Sequence, residues 1–93
     1  MVLKGTELKL HNALTLAEQG LAVIRTGGGR LDLTELRQVD SSAVAVMITW
    51  QREALTLQRS LEFVGVSTGL QSLIQLYGLT EFFSIVAANS ERH

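Results

Sequence analysis

The sequence predicts an α/β fold, with a small mixed β-sheet of about four strands and about three helices packed on it. Apolar residues recur at helical spacing in three segments, short alternating segments lie between them, and glycines separate the two textures. Strands that are joined through helices run parallel with right-handed crossovers. With 93 residues, the chain is expected to form a single domain over residues 1–93.

The predicted elements follow one another without a linker or a repeat. A hairpin is expected from Val2–Lys4 and Glu7–His11, around Gly5-Thr6. After it come, in order, a helix from Asn12 to the run Gly27-Gly28-Gly29, a strand at Arg30–Leu33, a connecting turn at residues 34–39, a helix at Asp40–Ser60, a strand at Leu61–Val66 and a helix at Gly69–Tyr77. The remainder is expected to add a turn through Phe82-Phe83 before a polar end.

Composition disfavours several classes of function. The net charge of -1 gives no general attraction to nucleic acid or to anionic lipid, and the absence of cysteine removes disulfides and thiolate chemistry. The longest strictly apolar run, Ala43 to Ile48, is far shorter than the roughly 20 residues that span a bilayer. No signal peptide is recognised at the N-terminus, so a cytoplasmic location is expected.

Local motifs for catalysis or cofactor binding are also weak. The glycine run lacks the GK[ST] ending of a phosphate loop and precedes a strand instead of following one. His11 and His93 supply too few ligands for a metal site. Asp32, Glu35 and Asp40 have no nucleophile, base or oxyanion donor in a recognisable arrangement beside them. We therefore predict no catalytic residue, no cofactor and no metal.

The predicted helix at Asp40–Ser60 has more apolar residues than one buried face requires. The side expected to face the sheet comprises Val44, Met47, Ile48, Ala54 and Leu55. A further stripe contains Val46, Trp50 and Leu57. This stripe allows two interpretations. It packs against a neighbouring helix, or it forms a partner surface, which the tryptophan favours because tryptophan is enriched at contact hot spots.

The polar junction Asp40-Ser41-Ser42 precedes this helix and allows two interpretations. Any of its side-chain oxygens can cap the helix by accepting the first backbone N–H groups. Alternatively, a serine at a helix N-terminus is a favourable place for a phosphate, which would add negative charge beside Asp40 and prevent docking of a partner. Spacing does not distinguish these two roles.

The run LDLTELRQVDSSAVAVM, residues 31–47, resembles the signature of STAS domains. The later run LEFVGVSTGLQSLIQLYGL, residues 61–79, is similar to the strand, turn and final helix of the same domains. The resemblance covers most of the chain and implies a STAS-like fold. It also implies a non-enzymatic binding protein.

Two branches of the family fit different parts of the sequence. Anti-sigma-factor antagonists carry a phosphorylatable serine at the position of Ser41 and bind a kinase-like anti-sigma factor, but their motif continues S-G-L-G where this chain has residues 42–45, SAVA. MlaB-type subunits of the Mla phospholipid-transport complex are short and have an ending similar to LYGL, residues 76–79. The length and this ending favour the MlaB-type branch. That branch implies docking on the ATPase subunit of an ABC transporter.

The resemblance also implies a site. Ser41 would lie at the partner interface, flanked by Asp40 and Ser42, and Val46 and Trp50 would extend the contact along the helix. The loop His11-Asn12 would emerge at the same end of the sheet. Contact with the membrane would be indirect, at the inner membrane through the complex, and the exposed apolar stripe would allow a homodimer when the partner is absent.

Overall fold

The computed structural model describes residues 7–86. Its elements are β1 (Glu7–Leu8), a short 3-10 helix (Leu10–Asn12), α1 (Ala13–Arg25), β2 (Arg30–Asp32), β3 (Gln38–Val39), α2 (Ser41–Thr56), β4 (Glu62–Val64), α3 (Thr68–Leu76) and β5 (Ser84–Val86). The other half of the predicted hairpin, Val2–Lys4, lies outside the described residues. The α/β class and the three helices are confirmed.

The strands form two parallel ladders. One joins β2, β4 and β5 with β4 in the centre, and the other joins β1 to β3. Every strand pair within residues 7–86 is parallel, as expected for strands connected through helices. Two of the five strands were missed: β3 lies in the predicted turn, and β5 lies in the predicted polar end. Both are too short for alternation to be visible in the sequence.

The core is organised around the central strand β4. Phe63 is fully buried there and pairs in register with Leu31 on one side and with Ile85 on the other. Its ring lies 6.3 Å from the ring of Trp50 and meets Phe83 edge-on at 5.4 Å between ring centres. The row of apolar side chains across the sheet therefore provides the floor on which the helices pack.

Trp50 joins α2 to α1. Its indole is fully buried, and the indole Nε1–H donates to the carbonyl oxygen of Ala17 at 2.9 Å. Gly20 lies against the same ring, where a β-carbon would overlap the indole. The stripe of Val46 and Trp50 therefore packs against a neighbouring helix, and the expectation that Trp50 contacts a partner is wrong because its side chain is inaccessible.

The ends of α2 and α3 share one hydrogen-bond pattern. Leu79 N–H bonds back to Ile74 at 3.0 Å, and Arg59 N–H bonds back to Ala54 at 2.9 Å. The residue directly before each donor has a left-handed backbone. It is Gly78, with φ 70°, at the end of α3 and Gln58, with φ 57°, at the end of α2. The helix predicted to reach Ser60 thus ends at Thr56, and no glycine marks its end in the sequence.

The close contact between Gly20 and Trp50 can be tested with Gly20→Ala. This change should lower the free energy of unfolding by about 1–3 kcal/mol because the added methyl overpacks a buried ring. In a Trp50→Phe background the same change should be better tolerated, since the indole atoms nearest to position 20 are absent. Urea denaturation of the four proteins measures both effects.

Gly69→Ala is the matched control. Gly69 is an exposed glycine in α3 with open space where its β-carbon would lie. Alanine there should raise the stability by up to about 1 kcal/mol through helix propensity alone. Equal stabilisation by Gly20→Ala would contradict the packing described for Trp50.

Candidate functional site

The N-terminus of α2 is fixed by the side chain that precedes it. Asp40 has an extended backbone, and its Oδ1 accepts the Ser42 N–H at 2.8 Å. Asp40 is therefore the N-cap, a role that the spacing in the sequence allowed for Asp40, Ser41 or Ser42. Ser41 and Ser42 begin the helix itself.

The short 3-10 helix lies against this same end of α2. Leu10 N–H donates to Asp40 Oδ2 at 3.3 Å. Asn12 closes the turn internally, since its Oδ1 accepts the Lys9 N–H and its Nδ2 donates to the Glu7 carbonyl oxygen. The exposed ring of His11 lies 2.6 Å from Glu7 Oε2. The structure therefore brings His11-Asn12 to the Ser41 end of the fold, as the topology predicted.

A first shallow groove of about 340 Å³ separates α1 from α2. Its lining consists of Leu10, Ala13, Leu14, Ala17, Ser42, Ala45, Val46 and Thr49. Leu10 and Leu14 are 80% and 73% exposed, although side chains of this kind are normally buried. Val46 is only 5% exposed and forms part of the groove floor.

A second shallow groove of about 260 Å³ lies on the other side of α2. Its lining consists of Ser41, Val44, Ala45, Ile48, Tyr77 and Leu79. Tyr77 is 52% exposed, and the adjacent Leu76 is 76% exposed. Ala45 lines both grooves, whereas Ser42 lines the first groove and Ser41 lines the second. We refer to the two grooves together with Ser41 and Leu76 as the Ser41 surface.

Ser41 is exposed on this surface, and its hydroxyl makes no hydrogen bond within residues 7–86. None of the described residues that line the two grooves carries a charge. No group of three or more histidine and carboxylate side chains that could hold a metal, and no helix long and apolar enough to cross a membrane, occurs within residues 7–86. The arrangement suits contact with an apolar surface better than proton transfer.

The sequence pattern did not predict that Leu10 and Leu14 are exposed. Leu14, Ala17, Leu21 and Ile24 recur at helical spacing in the sequence, which predicts one apolar face, whereas the buried residues of α1 are Leu16, Gly20 and Ile24. Gly20 carries no apolar signal, so its place on the buried face was invisible. Leu55 shows the opposite error, since it was expected to face the sheet and is 55% exposed.

The Asp40 carboxyl is stabilised in its charged form. Partial desolvation raises its pKa, but the N–H groups of Ser42 and Leu10 and the charge of Lys9 outweigh this effect, so the pKa lies below its ordinary value. The hydroxyl and the backbone N–H of Thr34 likewise lower the pKa of Asp32. Both carboxyls therefore link folding to pH.

These shifts predict that stability declines in acid. A carboxyl with a lowered folded-state pKa stabilises the fold above its unfolded pKa of about 3.9, and this contribution is lost as the pH falls through the folded-state value. Asp40→Asn should thus show a smaller decrease in the free energy of unfolding between pH 7 and pH 3 than the wild type. Asp32→Asn should likewise show a smaller decrease in the free energy of unfolding between pH 7 and pH 3 than the wild type. A pH dependence unchanged in both variants would contradict the assigned hydrogen bonds.

Comparisons with known proteins agree with this fold. A family model described as "Mlab, STAS domain" matches residues 2–87. The crystal structure of a candidate anti-sigma-factor antagonist from Thermotoga maritima superposes with a TM-score of 0.79 at 16% sequence identity, covering 98% of this chain and 80% of that chain. A comparison with curated protein sequences gives no significant match. At this identity the structural match concerns the fold alone.

Proposed function

Because this chain belongs to the STAS domain family, we propose that it is a non-enzymatic binding subunit of an Mla-type phospholipid-transport ABC complex. It would dock on the cytoplasmic ATPase subunit through the Ser41 surface and support the assembly and activity of the transporter. The protein would then be cytoplasmic and held at the inner membrane through its complex. Without the ATPase, the same exposed leucines would allow a homodimer.

The observation that carries the proposal is the exposure of apolar side chains around Ser41. Leu10, Leu14, Leu76 and Tyr77 are each more than half exposed, and they flank two uncharged grooves. Exposed apolar side chains that gather in one place are typical of protein interaction sites. The description of the matching family model points to the MlaB-type branch and thus to a transporter ATPase as the partner.

The contact residues differ from those expected. Ser41 and Ser42 line the two grooves and stay in the proposed interface, and Val46 contributes only to a groove floor. Trp50 is excluded from the proposed interface because it is fully buried, and it instead packs against α1 and donates to the Ala17 carbonyl oxygen. His11 and Asn12 line neither groove, and their role in the proposal is to form the turn that presents Leu10.

Ser41→Arg tests the docking surface. A long charged side chain in the lining of the second groove should reduce binding to the ATPase subunit at least about 10-fold, because a buried unpaired charge opposes an apolar contact. The fold should persist, since Ser41 is exposed. Co-purification from cells and titration of the purified subunits measure the loss.

Ser60→Arg is the matched control, because Ser60 is also exposed but follows the opposite end of α2. It should bind the ATPase subunit like the wild type. Undiminished binding by Ser41→Arg, or equal losses in both variants, would refute docking through this surface.

The second candidate function is that of an anti-sigma-factor antagonist. It is favoured by the accessibility of Ser41 and by the match to the structure of a candidate antagonist. In that case the protein would bind an anti-sigma factor kinase and be switched by phosphorylation of Ser41. Ala43 and Ala45 occupy the places of the glycines in the antagonist motif, and Ala45 adds a methyl group between the grooves. This departure favours the transport function.

Phosphorylation distinguishes the two functions. If the protein is an antagonist, mass spectrometry of protein recovered from its own cells should find phosphate on Ser41, and Ser41→Ala should remove it. If it is a transporter subunit, the protein should instead be recovered with the ATPase and with Ser41 unmodified. Phosphate on Ser41 together with a bound anti-sigma factor would overturn the transport proposal.

A further inference from the structure

We infer that Asp40 is the positioning residue of the Ser41 surface, with its two carboxylate oxygens holding the two structural elements that bound the first groove. The inference rests on the proposed function and assigns Asp40 a role other than partner contact. Asp40 is half-buried and lines neither groove. It therefore acts through the residues that it holds.

Each oxygen of Asp40 serves a different element. Oδ1 accepts the Ser42 N–H at 2.8 Å and caps α2, while Oδ2 accepts the Leu10 N–H at 3.3 Å from the 3-10 helix. Both donors belong to residues that line the first groove. The carboxylate thus links Leu10 to Ser42 across that groove.

Backbone contacts hold the residues on either side of the 3-10 helix, since the Leu8 carbonyl oxygen accepts the Asp40 N–H at 3.4 Å and Asn12 leads directly into α1. The hydrogen bonds made by the side chains of His11 and Asn12, one of which accepts the backbone N–H of Lys9, stay within residues 7–12. Among residues 7–86, the bond from Leu10 to Asp40 is the only side-chain hydrogen bond that connects residues 9–12 to α2 or its cap. Because Leu10 is 80% exposed, packing contributes little to holding it in place.

The chemistry requires a carboxylate at this position. Asparagine is as good an N-cap as aspartate, but it has one acceptor oxygen, and its NH₂ group cannot accept the Leu10 N–H. In Asp40→Asn the cap would remain on α2 and the bond to Leu10 would be lost. This substitution separates the positioning role from the capping role.

The test compares Asp40→Asn with Ser67→Ala. Ser67 Oγ caps α3 by accepting the Leu70 N–H at 3.2 Å, away from both grooves. Asp40→Asn should lose no more thermal stability than Ser67→Ala, yet it should bind the Mla-type ATPase subunit about 10-fold more weakly. Ser67→Ala should bind like the wild type.

Hydrogen exchange at the Leu10 amide provides a readout that needs no partner. In Asp40→Asn this amide should exchange about 10-fold faster by NMR than in the wild type, while the Leu70 amide keeps its protection. In Ser67→Ala the Leu70 amide should exchange faster, while the Leu10 amide keeps its protection. Unchanged exchange at Leu10, or equal weakening of binding by both variants, would overturn the inference.

The outcomes also separate this inference from the proposed function. If Ser41→Arg abolishes ATPase binding while Asp40→Asn binds normally, the docking surface stands and the positioning role fails. If the wild type does not bind the ATPase subunit, the proposed function fails. Asp40 is then judged by exchange at Leu10 alone, where faster exchange supports the link to the 3-10 helix and unchanged exchange refutes it.

Discussion

The contact between the Trp50 indole and Gly20 is the constraint on which the arrangement of the two long helices depends. The indole needs both an apolar enclosure and an acceptor for its N–H, and α1 supplies these as the surface of Gly20 and the carbonyl oxygen of Ala17. On its other side the ring meets Phe63 on the central strand. One side chain therefore connects both helices to the sheet, and this position leaves it no surface to offer a partner.

The exposed apolar surface that we propose for docking follows from this packing. Trp50 fills the space between the helices near the middle of α2, but towards the beginning of both helices the facing residues are small, among them Ala13, Ala17 and Ala45. Small side chains leave the first groove unfilled, and Leu10 and Leu14 remain at its border with most of their surface exposed. The fold therefore buries its largest apolar residue while leaving Leu10 and Leu14 exposed beside the first groove, which favours an interface over a packing defect.

The sequence predicted the parts of the molecule whose pattern is long or chemically distinctive. The three helices, the strand containing Phe63 and the junction at Asp40 belong to this group. Other features depend on contacts between distant segments: β3 pairs with β1 through two residues only, and Leu10 is placed by a carboxylate 30 positions away. Gln58 shows a third cause, because a left-handed residue other than glycine leaves no signal for the end of a helix. Periodicity alone also assigned Leu14 and Leu55 to the wrong faces.

Ser41 occupies the same place in both proposed functions, and its surroundings explain how one residue can serve either. The first N–H groups of α2 favour a phosphate there, while the adjacent Asp40 carboxylate opposes it. An unmodified hydroxyl is small and uncharged, so it would not oppose contact between a partner and the apolar groove that Ser41 lines. A phosphate on Ser41 would place nearly two negative charges at the second groove and oppose that contact. In either proposed function, docking and phosphorylation at Ser41 would therefore exclude each other, because a phosphate adds charge where the partner contact is proposed.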